Sequence, residues 1–385
     1  MDLKSIYLRA LEACAPERLV ANSVEKRMPR SVVAIGKCAG GLLDGIGEFD
    51  EAFVVVPEGY PRPRCTSAIV MQGGHPQMTE GSFQAGRALV EFVDRHEDIL
   101  FLISGGGSAC AELPLEPWFD ERDLMNANAR LVASDTPIAG INCVRKHLSA
   151  IKGGRLGARV RGRSRTLVYS DVSSGALADV ASGPTLPDAT TKQDAIAVLE
   201  RLGGFDRIVG ALRDPECGET IREIPRARAA LIADNDTLTA AAAAIAGPGA
   251  VRLARQIECG VEQAATILLD RAKLLRAGEV LVAGGEPTVT VRGNGIGGRC
   301  SEMAIRVALA AEIPLTALFA SSDGRDGNSG AAGVLMSLPA RLDRGQAERE
   351  LARSNSLAVA AAAGEVLTMP PTGNNLRDLY LLARS

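Results

Sequence analysis

Short aliphatic runs alternate with helix-like segments along this chain, and several of the runs end in glycine. This order constrains the fold more than any other feature. Strand, helix, strand in succession favours a right-handed, mostly parallel sheet covered by helices. Strands are predicted at 31–35, 52–56, 67–71, 99–103, 166–169, 228–233, 280–283 and 315–320. Helices are predicted at 3–13, 79–95 (with Thr79 as N-cap), 123–133, 192–202, 235–246, 264–275 and 357–363, and 143–156 contains a basic helix. Hydrophobic residues make up 46% of the chain but aromatics only 3%, so the cores must be built from Ala, Val, Leu and Ile. A chain of 385 residues exceeds one core. The pattern is weakest over 205–230. The expected division is an α/β domain over 1–225 with a mostly parallel sheet, and a smaller mixed-sheet α/β domain over 226–385. A last helix, within 375–382, is expected to fold back onto the first domain.

Net charge is −3 and no basic cluster resembles a nucleic-acid patch. The arginine-rich run from Arg159 to Arg165 reads as a solvated helix end. The eight cysteines form no C-x-x-C, which argues against zinc and redox motifs. They read as reduced thiols of a cytoplasmic protein. The start, Met1-Asp-Leu-Lys, is not a signal-peptide pattern, and no apolar run is long enough to span a bilayer.

Chemistry is expected at strand ends. From Thr288 to Arg299 the chain reads as strand, glycine loop and then helix. Gly293, Gly295, Gly297 and Gly298 would let backbone approach a ligand, the helix start would attract an anion, and Arg299 would add a planar fork for phosphate. The same letters satisfy G-x-G-x-x-G, with Asp323 as the acidic partner of a dinucleotide site, and a ligand-free loop is also open. Ser104-Gly105-Gly106-Gly107-Ser108 reads as a nest for carboxylate or phosphate, against a plain tight turn. Lys37 ends the first strand and would hold phosphate, against a surface charge. Arg145, Lys146 and His147, with Lys152 and Arg155, form either an anion funnel or a solvated helix face. Asp171, Asp323 and Asp326 close strands. Asp171 and Asp323 are placed to hold Mg²⁺, against capping or Asx-turn roles.

Ten collinear blocks carry a family resemblance. The longest are Leu102 to Ala109, Asn142 to Leu156 and Gly284 to Val291; Gly74-His-Pro76, Ala181 to Thr185, Asp323 to Gly327 and Pro371 to Asn375 are among the others. The chain resembles the class II glycerate kinases, the glycerate 2-kinase family with a C-terminal MOFRL-type domain. The resemblance implies an ATP- and Mg²⁺-dependent kinase that phosphorylates the 2-hydroxyl of D-glycerate in a cleft between two α/β domains. It implies Lys37, Arg299 and Asp171 as catalytic residues, and phosphate contacts from Gly295, Gly297 and Gly298. Gly285, Glu286, Asp323, Asp326, Thr372 and Asn375 would contact nucleotide. The expected partners are a small hydroxy acid and ATP, with neither nucleic acid nor membrane, and a homodimer is compatible with this reading. The chain departs from the family at 173–176, where Ser-Ser-Gly-Ala replaces an acidic segment, and at Cys300, where the family has Asn. Other functions to weigh are a kinase of another small hydroxy acid or polyol, a weak binding paralogue, and an NAD(P)-dependent hydroxy-acid reductase.

Overall fold

A computed structural model describes residues 2–25, 28–172 and 177–384. The chain divides into two compact units, Pro16–Ile232 and Met1–Ala15 with Ala233–Ser385. Among the described residues no helix is long and apolar enough to cross a membrane.

The first unit is built on β1 (Ser31–Ile35), β2 (Glu51–Pro57), β3 (Ile69–Gly73), β4 (Ile99–Ser104), β5 (Ser164–Tyr169) and β6 (Ala227–Ala233). They lie side by side in the order β3-β2-β1-β4-β5-β6. The ladders from β3 through β5 are parallel. Val33, Ile35, Phe53, Val55, Phe101 and Ile103 alternate along three strands onto one sheet face, and Leu89 and Phe92 of helix Glu80–Arg95 pack with them. Thr79 stands at the N-cap position of that helix, but the bond runs the other way: Ser82 Oγ accepts from Thr79 N–H at 3.1 Å.

The second unit contains β7 (Ala250–Arg252), β8 (Val280–Gly285), β9 (Leu315–Ser321), β10 (Gly333–Leu338), β11 (Glu365–Leu367) and β12 (Asp378–Arg384), in the order β11-β10-β9-β12-β8-β7. β12 runs antiparallel to β8 and β9, while β7 and β8 are parallel, so the sheet is mixed.

Three expectations change. The boundary falls after Ile232 rather than 225. Helix Leu3–Ala13 belongs to the second unit, because its apolar face packs on helix Asn235–Ala246 and Tyr7 Oη donates to the Ser321 carbonyl at 2.7 Å. The final segment is the strand β12, buried between β8 and β9, and not a helix on the first domain. Its short apolar run has no periodicity that separates a buried strand from a buried helix.

Candidate active site

In the first unit β1 and β4 are neighbours, while β2 and β3 extend one way and β5 and β6 the other. Loops at such a reversal diverge and leave a crevice at the carboxyl ends of the strands. Lys37 follows β1 and Gly105–Gly107 follow β4 at this point. Gly36 has φ +115°, and a Cβ on it would lie 2.4 Å from the Ser104 carbonyl oxygen, so only glycine lets the two strand ends pass this closely. Lys37 N–H donates to the Gly105 carbonyl at 2.8 Å, and Cys38 N–H donates to Ser104 Oγ at 3.0 Å. Ser104 is fully buried and ties the strand ends together, so it is not on a ligand-facing surface. Gly106 has φ +83°, and a Cβ there would come within 2.8 Å of Lys37 Cγ and 3.4 Å of His75 Cδ2. The Lys37 ammonium stands 5.6 Å from the centre of the Tyr60 ring, which meets the His75 ring edge-on at 6.3 Å. Loops after β1, β2, β3 and β4 thus converge on one spot.

Arg145 adds charge here. Asn128 Oδ1 holds its guanidinium with bonds of 3.0 and 2.7 Å. Burial lowers its pKa, against a pull from Glu112. Partial burial, then Lys37 and Arg145, push the His75 pKa down to about 4. The ring is therefore neutral at pH 7 and leaves Lys37 and Arg145 as the charges. Ser108 Oγ and Ser182 Oγ lie 2.7 Å apart, and Ser182 Oγ donates to Asn142 Oδ1 at 3.1 Å. Ala181 and Ser182 have φ of 52° and 59°, a strain that clusters at functional sites.

The rest of the basic segment is structural. Lys146 is buried in ion pairs with Asp179 at 2.9 Å and Asp188 at 3.1 Å. His147 is buried, donating through Nδ1 to the Cys143 carbonyl at 2.9 Å and facing Glu219 at 3.2 Å; burial lowers its pKa. Lys152 is sealed against Glu112, and Ser149 Oγ donates to the same carboxylate. Arg155 holds main-chain carbonyls, among them Lys146 at 2.6 Å. Their pattern is neither funnel nor solvated face, because each cation already has a partner inside the protein. Asp171 stands just past β5, half-buried, at the strand end where it was expected. The departure at 173–176 lies outside the described residues.

The glycine loop of the second unit differs from the sequence reading. Thr288 makes only an isolated bridge, so no strand leads into the loop; the strand is β8, which ends earlier at Gly285. Helix Arg299–Ala310 does begin at the loop, but its N-terminus is taken. The buried Asp326 carboxylate accepts from Cys300 N–H at 2.8 Å, Ser301 N–H at 2.9 Å and Ser301 Oγ at 2.7 Å. Burial raises the Asp326 pKa, and these donors oppose the rise. The anion that the helix start attracts is supplied by the chain itself. The loop donors are engaged as well. Gly295 N–H donates to the Arg353 carbonyl at 3.1 Å, and Gly297 N–H to Asn328 Oδ1 at 2.8 Å. Ile296 N–H donates to Asn355 Oδ1 at 3.1 Å, and Gly298 N–H to Ser301 Oγ at 2.9 Å. The glycines allow close packing: a Cβ on Gly298 would lie 2.2 Å from Asp326 Oδ1. This loop is a packed joint rather than an open phosphate cradle.

The Arg299 fork is also occupied. Nε and Nη2 donate to the two oxygens of buried Asp378 at 3.1 and 3.2 Å, and Nη1 pairs with Glu286 at 2.8 Å. Asp378, against the cost of burial, raises the Arg299 pKa, and Glu286 adds to it. Arg377 pairs with Glu258 at 2.6 Å and approaches Glu286 at 3.5 Å. Arg299 and Arg377 thus already hold Asp378, Glu286 and Glu258 as partners. Gly285 lies against Ile257, where a Cβ would meet the carbonyl oxygen at 2.2 Å. Asp323 Oδ1 accepts from Ser321 Oγ and Arg325 N–H, both at 2.9 Å. Thr372 Oγ1 donates to the Ser322 carbonyl at 2.6 Å, and Asn375 is buried nearby in sequence.

Sequence reasoning gave no role to Tyr60, His75 or Asp378. The Gly74-His-Pro76 block was a signal for His75, and an acid opening an apolar run was one for Asp378.

Residues 2–214 match the model of a domain of unknown function, DUF4147, and residues 279–378 match the MOFRL family. A D-glycerate 2-kinase of Thermotoga maritima is 31% identical over 98% of this chain and 96% of its own length. A protein of Agrobacterium vitis with the provisional name hydroxypyruvate reductase is 32% identical over 98% of this chain and 92% of its own. A crystal structure of glycerate kinase from Thermotoga maritima superposes with a TM-score of 0.84 at 29% identity, covering 99% of this chain and 98% of that one.

Proposed function

The chain belongs to the glycerate kinase family built from DUF4147 and MOFRL domains, and from that premise we propose that it transfers the γ-phosphoryl group of ATP to the 2-hydroxyl of D-glycerate. The observation that carries this reading is the convergence of Lys37, Tyr60, His75 and Arg145 around Gly106 where β1 and β4 part. Two fixed cations beside a neutral histidine suit an acceptor that carries a carboxylate and a donor that carries phosphate. In the reaction the acceptor oxygen bonds to the γ-phosphorus, the bond to the ADP oxygen breaks, and the hydroxyl proton is released. Lys37 would neutralise charge moving between the oxygens. Arg145 would orient the glycerate carboxylate.

Asp171 is the carboxylate assigned to Mg²⁺, which supplies charge neutralisation on the nucleotide phosphates. A single carboxylate at a strand end fits Mg²⁺ held mainly by phosphate oxygens and water. Among the described residues no group of three or more His, Cys, Asp or Glu stands together to cage a metal. Arg299 would reach phosphate only by exchanging one of its present carboxylates.

A reductase reading has two relatives' provisional names behind it. Against it, the Gly293–Gly298 pattern follows no strand directly, and Asp326 fills the helix start where a pyrophosphate would sit. The test is an acceptor panel with coupled ADP detection, and phosphorus NMR to locate the new ester. Phosphate on the 2-oxygen of D-glycerate is the expected product. NADPH oxidation with hydroxypyruvate and no ADP release would replace the kinase reading.

A further inference from the structure

A second recess lies at the amino ends of the first unit's strands. It encloses about 880 Å³, a volume typical of small-molecule sites. Its walls come from residues just before β1 and β4 and at the starts of β5 and β6. These are amino ends of strands, whereas Lys37 and Gly106 follow carboxyl ends, so the recess is separate from the site above. Arg163, Arg165, Arg226 and Arg228 line it, together with Glu25, Glu97 and Asp98.

The acids do not cancel the arginines evenly. Asp98 is taken by Arg163, accepting from its backbone N–H at 2.6 Å and from Nη2 at 2.7 Å. Glu25 is 4.0 Å from Arg165 and largely exposed. Among the described residues Arg226 and Arg228 make no ion pair, and both are exposed in the recess. Arg226 has φ +64°, a conformation that strains any residue but glycine. Glycine would relieve that strain but remove the guanidinium. Both line the recess from the segment that enters β6. Two planar guanidinium forks in one recess can each take one phosphate of a linked pair.

We propose that Arg226 and Arg228 form a binding site for a small phosphate-bearing anion with at least two negative charges. This site does not depend on the kinase reading. The probe is inorganic pyrophosphate without Mg²⁺, titrated calorimetrically at low salt into the full chain carrying Lys37→Ala, which weakens the other anion site. Adding Arg226→Gly and Arg228→Ser should weaken binding at least tenfold. The glycine suits the backbone at 226, so the fold is kept. In the otherwise unaltered chain these two substitutions should leave phosphoryl transfer at its parent rate. A second measurement needs no variant: pyrophosphate should protect Arg226 and Arg228 from phenylglyoxal, read by peptide mass spectrometry. Equal affinity with and without the two arginines, or equal modification with and without pyrophosphate, overturns the proposal.

Discussion

Single residues separate two kinds of cation in this protein. Lys37 lies beside Tyr60, in the crevice where β1 and β4 part. Lys37→Ala should therefore lower kcat by about a hundredfold or more while the urea midpoint stays at the parent value. Arg299 has a different place, because Asp378 beneath it is fully buried. Arg299→Ala should cost about 3–5 kcal/mol in urea denaturation, since a buried carboxylate loses its bidentate partner. A large fall in kcat with parent stability would instead return Arg299 to direct phosphate binding. His75 sets a pH dependence. Its pKa is about 4 in the fold against an ordinary 6.5, so the unfolded chain takes up the proton first as pH falls. Its contribution to stability is present above pH 6.5 and is lost towards pH 4, and the lowered pKa of His147 acts in the same direction. Urea midpoints of His75→Asn should fall less steeply across that window than those of the parent.

At the scale of an element, the glycine loop and the helix after it form one packed joint. Asp326 satisfies two backbone donors and one hydroxyl at the start of helix Arg299–Ala310. Asp326→Ala should destabilise the chain by about 2 kcal/mol, as loss of a helix cap does. Gly298→Ala should do the same by pushing into that carboxylate. Thermal melts check both. A parent melting temperature with a lost affinity for ATP would show that the loop serves the ligand first. The glycine spacing alone could not decide this. Glycines that admit a phosphate and glycines that admit Asp326 and Arg353 are the same letters.

At the scale of the whole molecule, the two ends of the chain complete one unit. β12 supplies hydrogen bonds to both β8 and β9, and helix Leu3–Ala13 covers helix Asn235–Ala246. A chain ending before Asp378 should lose the second unit's cooperative transition, since two interior strands lose their neighbour. Calorimetry of that chain should still show a transition for Pro16–Ile232, whose sheet takes no strand from beyond it except the end of β6. Disappearance of both transitions would show that the first unit does not hold alone.

The alternation of aliphatic runs with amphipathic segments was enough to specify an α/β chain with a mostly parallel first sheet, because period and β-branched content are local properties. It also placed Lys37 and Gly105–Gly107 at strand ends. Their meeting was a matter of topology: the order β3-β2-β1-β4-β5-β6 makes β1 and β4 neighbours. Charge partners were likewise invisible along the chain. Lys146, Lys152 and Arg299 look like anion binders until the fold brings Asp188, Glu112 and Asp378 against them from distant segments. A charged side chain states what it can pair with, and tertiary structure decides whether that partner is a ligand or the protein itself.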